Sequence, residues 1–237
     1  MKACVIAGKE KLQIVDCPVP QIEDDEVLIR VERCGTCFSE FPLWKQGTEQ
    51  GKRIGHEPVG IVEKVGSRVS RFVPGERVTG MFYEAFAEYT KAPERNVIKV
   101  PDSLSTCEGI GEPLSCLMSG VQRTPLEMGD TLAVVGCGFM GNGFLQLMRL
   151  RGAGKIIGID LRPEALENAR RFGANETYLP QEVPACYLVD TFNDRIFLDG
   201  VDVAAEVSGT AEGLALAGKM PRAHGTLDIV GYHQSGG

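Results

Sequence analysis

The chain has 237 residues, 24% charged and 43% hydrophobic, a balance that supports one large or two modest globular domains and excludes a disordered chain. A net charge of −7 with dispersed basic residues speaks against a nucleic-acid partner, and no apolar run approaches the ~20 residues of a membrane span. Residues 1–15 lack the apolar centre of a signal peptide, so a cytoplasmic protein without a membrane partner is expected, and the eight cysteines do not read as the disulfide framework of a small secreted domain.

The predicted elements begin with strands at residues 2–6 and 12–15, joined into a hairpin across Gly8-Lys9-Glu10-Lys11. Further strands are expected at 27–31, at 60–65 before Gly66-Ser67, and at 77–79 after the turn Pro74-Gly75-Glu76. Short strands at such spacing predict a small β-rich domain, a barrel closed on itself. The character changes after Pro101. Ser105-x-x-Glu108 is a candidate capping box, and Glu112-Pro113 starts a helix that runs to about Arg123, where Thr124-Pro125 breaks it. The domain boundary is placed there, giving domains 1–125 and 126–237. Beyond Gly129 strands and helices alternate: strand 132–135, helix 139–150, strand 155–160, helix 163–172 ended by Gly173, and strands at 177–179, 201–207 and 226–230. Residues 180–198 carry no assignable pattern.

The second domain opens on a turn with chemical content. A buried apolar strand leads into Gly136-x-Gly138-x-x-Gly141, and Phe139 and Met140 begin the helix that follows. Gly136 allows a tight turn, Gly138 lets a pyrophosphate approach the backbone, and Gly141 lets helix and strand pack closely. The helix start offers unpaired N–H groups to the phosphates. Glycines also occur in ordinary strand-to-helix turns. The next strand, however, ends on Asp160, close to the ~20-residue spacing of a ribose-binding carboxylate. Such an acid accepts hydrogen bonds from the ribose hydroxyls and repels a 2′-phosphate, so NAD is expected over NADP, with Arg162 near enough to weaken the preference.

Three pieces of the first domain hold most of its metal-capable groups: Cys34-Gly-Thr-Cys37-Phe-Ser39-Glu40, Gly55-His56-Glu57 and Gly111-Glu112. Each residue also has a plainer reading. Cys37 can also be a buried thiol or, with Cys34, a redox pair, which the β-rich neighbourhood disfavours; His56 can be a structural histidine, Glu112 a helix cap and Ser39 a turn serine. The order of motifs is more specific than any of them. Gly55-His56-Glu57 with Val59-Gly60 and Val62, then Pro74-Gly75-Glu76-Arg77-Val78, then Phe86-Ala87-Glu88-Tyr89, resembles the zinc-containing medium-chain alcohol dehydrogenase family, and most of all its polyol, threonine and sorbitol dehydrogenase branch.

That resemblance implies an α/β fold in which a GroES-like β-barrel catalytic domain precedes a Rossmann-type doubly wound parallel sheet. It implies zinc held by Cys37 and His56 with Glu57 or Glu112 as the carboxylate, and it puts Ser39 and Glu57 in the catalytic set. Cys34 carries no role over. Such a ligand set is chemically sound, since a catalytic zinc keeps about three protein ligands and an open position. The implied activity is hydride transfer between a secondary alcohol (a polyol, sugar or amino alcohol) and NAD, with a small-molecule alcohol or ketone as partner. The alternatives are a zinc-free quinone or enone reductase of the same superfamily and a shortened, non-catalytic NAD-binding relative. Three departures stand out. Pro42 occupies the position where alcohol-metabolising members place a relay histidine, residues 78–85 lack the cysteines of a structural zinc lobe, and the chain stops one strand short of the family's nucleotide sheet. Full-length members form homo-oligomers through that missing edge, so assembly is left open for this chain.

Overall fold

The computed structural model describes residues 1–47, 49–104, 109–189 and 199–233, so the expected capping box at Ser105 and Glu108 lies outside the described residues. Two compact units form, Met1–Ser115 and Cys116–Gly237.

In the first unit, β1 (Lys2–Gly8) and β2 (Lys11–Asp16) make the expected hairpin. The remaining strands are β3 (Glu26–Gly35), β4 (Glu57–Val65), β5 (Arg77–Gly80), β6 (Tyr89–Pro93) and β7 (Val97–Lys99), paired antiparallel in the order β6-β3-β4-β5-β7. Laid flat, the outer strands of five would stand ~19 Å apart. Yet only Glu94–Asn96 joins β6 to β7, and the chain across that turn reaches at most ~14 Å. The sheet must therefore curl. Val27 and Ile29 of β3, Val62, Val78, Ala92 of β6 and Val97 of β7 accordingly share one interior with Phe72 and Phe82.

Both central strands run beyond the stretches the alternation predicts. β3 continues through Glu32-Arg33-Cys34 to Gly35, and β4 starts at Glu57, with Cys34 opposite Pro58 and Gly35 opposite Glu57. Proline, glycine and charged residues mask strand character here, but this extension aligns the two site segments. After β3 comes a 3-10 turn, Phe38–Glu40, and a short helix α1 (Phe41–Gln46), too brief for periodicity to announce.

Helix α2 (Glu112–Arg123) leads into the second unit. There follow β8 (Thr131–Val135), α3 (Phe139–Leu150), β9 (Lys155–Ile159), α4 (Pro163–Arg171), β10 (Glu176–Tyr178), β11 (Val201–Glu206), α5 (Ala211–Ala217) and β12 (Pro221–Ile229). All pairs are parallel, in the order β10-β9-β8-β11-β12. Successive side chains of a strand face opposite ways, and β8 shows the result. Leu132 and Val134 pack with Phe144, Leu145 and Met148 on one face, while Ala133 and Val135 pack with Ile157, Ile159, Ala217 and Met220 on the other. A sheet buried on both faces is the doubly wound architecture. β12 starts earlier than the predicted 226, with Pro221 at its first position, which an outer strand accepts. Within 180–198, short 3-10 turns occupy Pro180–Glu182 and Ala185–Tyr187, and 190–198 lie outside the described residues. Among the described residues no helix is long and apolar enough to cross a membrane.

Candidate metal centre and nucleotide turn

The β3–β4 register brings Cys37, just past the end of β3, against His56 and Glu57 at the start of β4. One ligand atom from each of the three lies within 4.8 Å of the others. Gly55, at φ +98°, makes the turn that presents His56. A thiol, an imidazole and a carboxylate converging at that range match the donor set and the count of an open zinc site.

Behind the three sits a residue to which the sequence attached no orienting role. Glu40 is buried, and its Oε1 accepts from the Gly55 N–H at 2.6 Å and from His56 Nδ1 at 3.2 Å, while Oε2 accepts from the Cys37 N–H at 3.4 Å. With Nδ1 tied to a carboxylate, Nε2 is the nitrogen left for a metal. The available signal was an acid three residues after Cys37, in register for a helical turn. Glu40→Gln should weaken zinc binding about 10–100-fold, measured by competition with a chromogenic chelator, because partners of this kind orient the ligand and raise its basicity.

Glu112 is not one of the converging three. It begins α2 and is buried, and its segment is pinned near Glu57: the Gly111 N–H donates to Thr79 Oγ1 at 2.9 Å, and that hydroxyl donates to the Pro58 carbonyl at 2.8 Å. Burial raises the Glu57 pKa, and the neighbouring Glu112 and Glu40 push the same way. A cation would offset that cost. The sign for the metal-free chain follows. With the folded pKa above the unfolded value, the folded state holds the extra proton, so stability is full below the unfolded pKa and falls as pH rises through the raised one. Metal-free Glu57→Gln should therefore melt higher than metal-free wild type at pH 8, and the difference should shrink at pH 4.5 in thermal melts.

Cys34 stays outside the three, and burial pushes its thiol up to about 12, the opposite of a reactive thiolate. Ser39 lies half-buried in the 3-10 turn, with no hydrogen-bond partner for its hydroxyl among the described residues. Phe38 stacks on Phe41 at 5.4 Å, and Phe41 meets the edge of Trp44 at 5.3 Å.

In the second unit the three turn glycines meet three different demands. Gly136 has φ +99°, and a Cβ there would stand 2.6 Å from the Ser208 nitrogen. A Cβ at Gly141 would collide with the Gly136 carbonyl oxygen. At Gly138, the N-cap of α3, a Cβ would meet nothing nearer than Arg162 Nη2 at 3.8 Å, so that position faces open space. Phe139 is exposed and Met140 partly buried at the helix start. Asp160 follows β9. Its Oδ2 accepts from the Cys137 N–H at 2.9 Å, and Oδ1 accepts from both the backbone N–H and Nε of Arg162 at 3.0 Å. Burial opposes ionisation of Asp160, but the hydrogen bonds from Arg162 and Cys137 outweigh it and hold the carboxyl below its usual range. Asp160 thus stands at the end of β9 beside the glycine turn, and Arg162 lies directly on it.

Residues 23–102 match the family described as Alcohol dehydrogenase GroES-like domain, and residues 140–237 match Zinc-binding dehydrogenase. Over 98% of this chain and 75% of the relative, it is 34% identical to sorbitol dehydrogenase of Bacillus subtilis strain 168. The chain belongs to the zinc-containing medium-chain alcohol dehydrogenase family. Within that family it is also similar to D-xylulose reductase A of Aspergillus niger, at 27% identity over 94% of this chain and 73% of the relative. A crystal structure of a zinc-binding dehydrogenase from Sinorhizobium meliloti 1021, bound to NADP, superposes with a TM-score of 0.87 at 27% identity, covering 100% of this chain and 78% of that one. The alcohol dehydrogenase fold, a GroES-like unit followed by a parallel nucleotide sheet, is the one the sequence led us to expect.

Proposed function

We propose that this alcohol dehydrogenase interconverts a secondary alcohol of the polyol class and its ketone, using zinc held by Cys37, His56 and Glu57 and a nicotinamide dinucleotide held by the Gly136–Gly141 turn and Asp160. The observation that carries the reading is the convergence of a thiol, an imidazole and a carboxylate within 4.8 Å. When bound, zinc supplies Lewis acidity that eases loss of the alcohol proton, and the dinucleotide supplies a hydride acceptor.

The chain's own residues do the rest. Glu40 ties up His56 Nδ1, which leaves Nε2 as the ring nitrogen for the metal. Glu112, whose charge is felt at Glu57, is the alternative carboxylate ligand. Ser39, with a hydroxyl able to accept and donate, receives the alcohol proton and passes it to solvent, since Pro42 offers no relay. Gly138 leaves room for the pyrophosphate, and the open α3 start with Phe139 and Met140 faces it. Asp160 takes the adenosine ribose hydroxyls and favours NAD. Arg162, already on that carboxylate, would pair with a 2′-phosphate, so NADP is used at lower efficiency. The polyol class rests on likeness to the sorbitol and xylulose enzymes.

The test is NAD reduction over a panel of sugars, polyols and amino alcohols. Oxidation of at least one secondary alcohol, lost on zinc removal and restored by zinc, is expected. Reduction of quinones or enones by metal-free protein, with no alcohol oxidation, would replace this reading by the zinc-free reductase, which the three converging donors do not favour.

A further inference from the structure

Asp160 follows β9 on one side of β8, and β11, on the other side, ends in Glu206, which pairs with Val135 just before the glycine turn. Glu206 is 0% exposed. A carboxylate so deeply buried requires hydrogen bonds in place of water. Its Oε1 accepts from the Ser208 N–H at 2.7 Å, the Ser208 hydroxyl at 2.5 Å and the Gly209 N–H at 3.0 Å, and its Oε2 accepts from His233 Nε2 at 2.7 Å. The Glu206 carbonyl takes the N–H groups of Val230 and Gly231 at 2.9 and 2.8 Å. One buried residue thus fastens the loops after β11 and β12. The first of these lies against the glycine turn, as the closeness of Ser208 to Gly136 shows.

The consequence falls on His233. A carboxylate only accepts, so Nε2 carries a hydrogen, and in the neutral imidazole Nδ1 is then the acceptor. The ring is 25% exposed, and Nδ1 has no partner among the described residues. In an open parallel sheet a dinucleotide crosses the carboxyl ends of the strands where their order reverses. With the adenosine ribose on Asp160 and the pyrophosphate on the turn, its other half lies over β11 and β12.

We propose that His233, oriented by Glu206, is a cofactor-binding residue for the nicotinamide half, with Nδ1 accepting a hydrogen bond from a ribose hydroxyl or the carboxamide N–H. Glu206 is the positioning residue. This rests on the dinucleotide reading above, and the test separates the two. NADH and ADP, the latter ending before the nicotinamide riboside, are titrated by calorimetry against wild type, His233→Gln, His233→Phe and Glu206→Gln. His233→Gln keeps a donor for Glu206 while displacing the acceptor. Glu206→Gln can donate to Nε2 and so moves the ring hydrogen to Nδ1. Each variant that folds should bind NADH about 10-fold more weakly, the scale of one lost hydrogen bond, with ADP affinity within about 2-fold of wild type. Unchanged NADH binding in the two His233 variants overturns the proposal, as does equal weakening for both ligands, which marks a structural role. Wild type that binds neither ligand overturns the dinucleotide reading itself, and this proposal with it.

Discussion

Cys37→Ser should hold less than about a tenth of the wild-type zinc and lose roughly 10³-fold or more in kcat/KM, since a Lewis-acid metal contributes several kcal/mol of charge stabilisation. Metal analysis of dialysed protein beside steady-state kinetics reads both quantities. The size of the effect follows from the ligand count. Among the described residues three donors converge, and a thiolate is the softest of them, so its loss leaves an imidazole and a carboxylate that compete poorly with water and chelators. The same substitution at Cys34 should change neither quantity by more than about 2-fold, because its thiol is buried, pushed up to about 12 and outside the converging three. A Cys34→Ser variant as inactive as Cys37→Ser would mean that the wrong sulfur has been assigned.

Gly141→Ala should weaken NADH binding by more than about 100-fold and destabilise the chain by about 1–3 kcal/mol, the usual cost of forcing volume into a packed site. Here the obstruction is backbone. The added methyl would occupy the place of the Gly136 carbonyl oxygen, so either the turn opens or α3 lifts from β8. Both movements displace the N–H groups proposed to hold the pyrophosphate. Gly138→Ala is the contrasting case. It meets no protein atom nearer than 3.8 Å, so its melting temperature should stay near wild type while NADH affinity falls. Fluorescence titration and thermal melts on the two variants separate packing from phosphate access.

Much of this was legible in the sequence, and the part that was not has local causes. The second unit reads clearly because its strands are buried on both faces, so continuous apolar runs and glycine stops mark them; the helix expected at 139–150 is the observed α3. In the first unit the alternation of β3 fades after Val31, where Glu32 and Arg33 intervene, and β4 opens on Glu57-Pro58. A strand outlined by hydrophobicity alone therefore stops short of the residues that matter. β6 and β7 went unassigned because five and three residues carry too little pattern, and their place is fixed by pairing to β3 and β5. The metal candidates came from motif order. Glu40 could not be given its position without knowing that a 3-10 turn swings it beneath His56, and Glu206 and His233 become neighbours only once β11 and β12 lie side by side.

Zinc K-edge X-ray absorption on the purified chain tests the central assignment most directly. One sulfur at ~2.3 Å and two or three nitrogen or oxygen scatterers at ~2.0–2.2 Å are expected, with the sulfur shell absent from any zinc retained by Cys37→Ser. A four-sulfur shell, or wild-type protein that takes up no zinc from buffer, would contradict it.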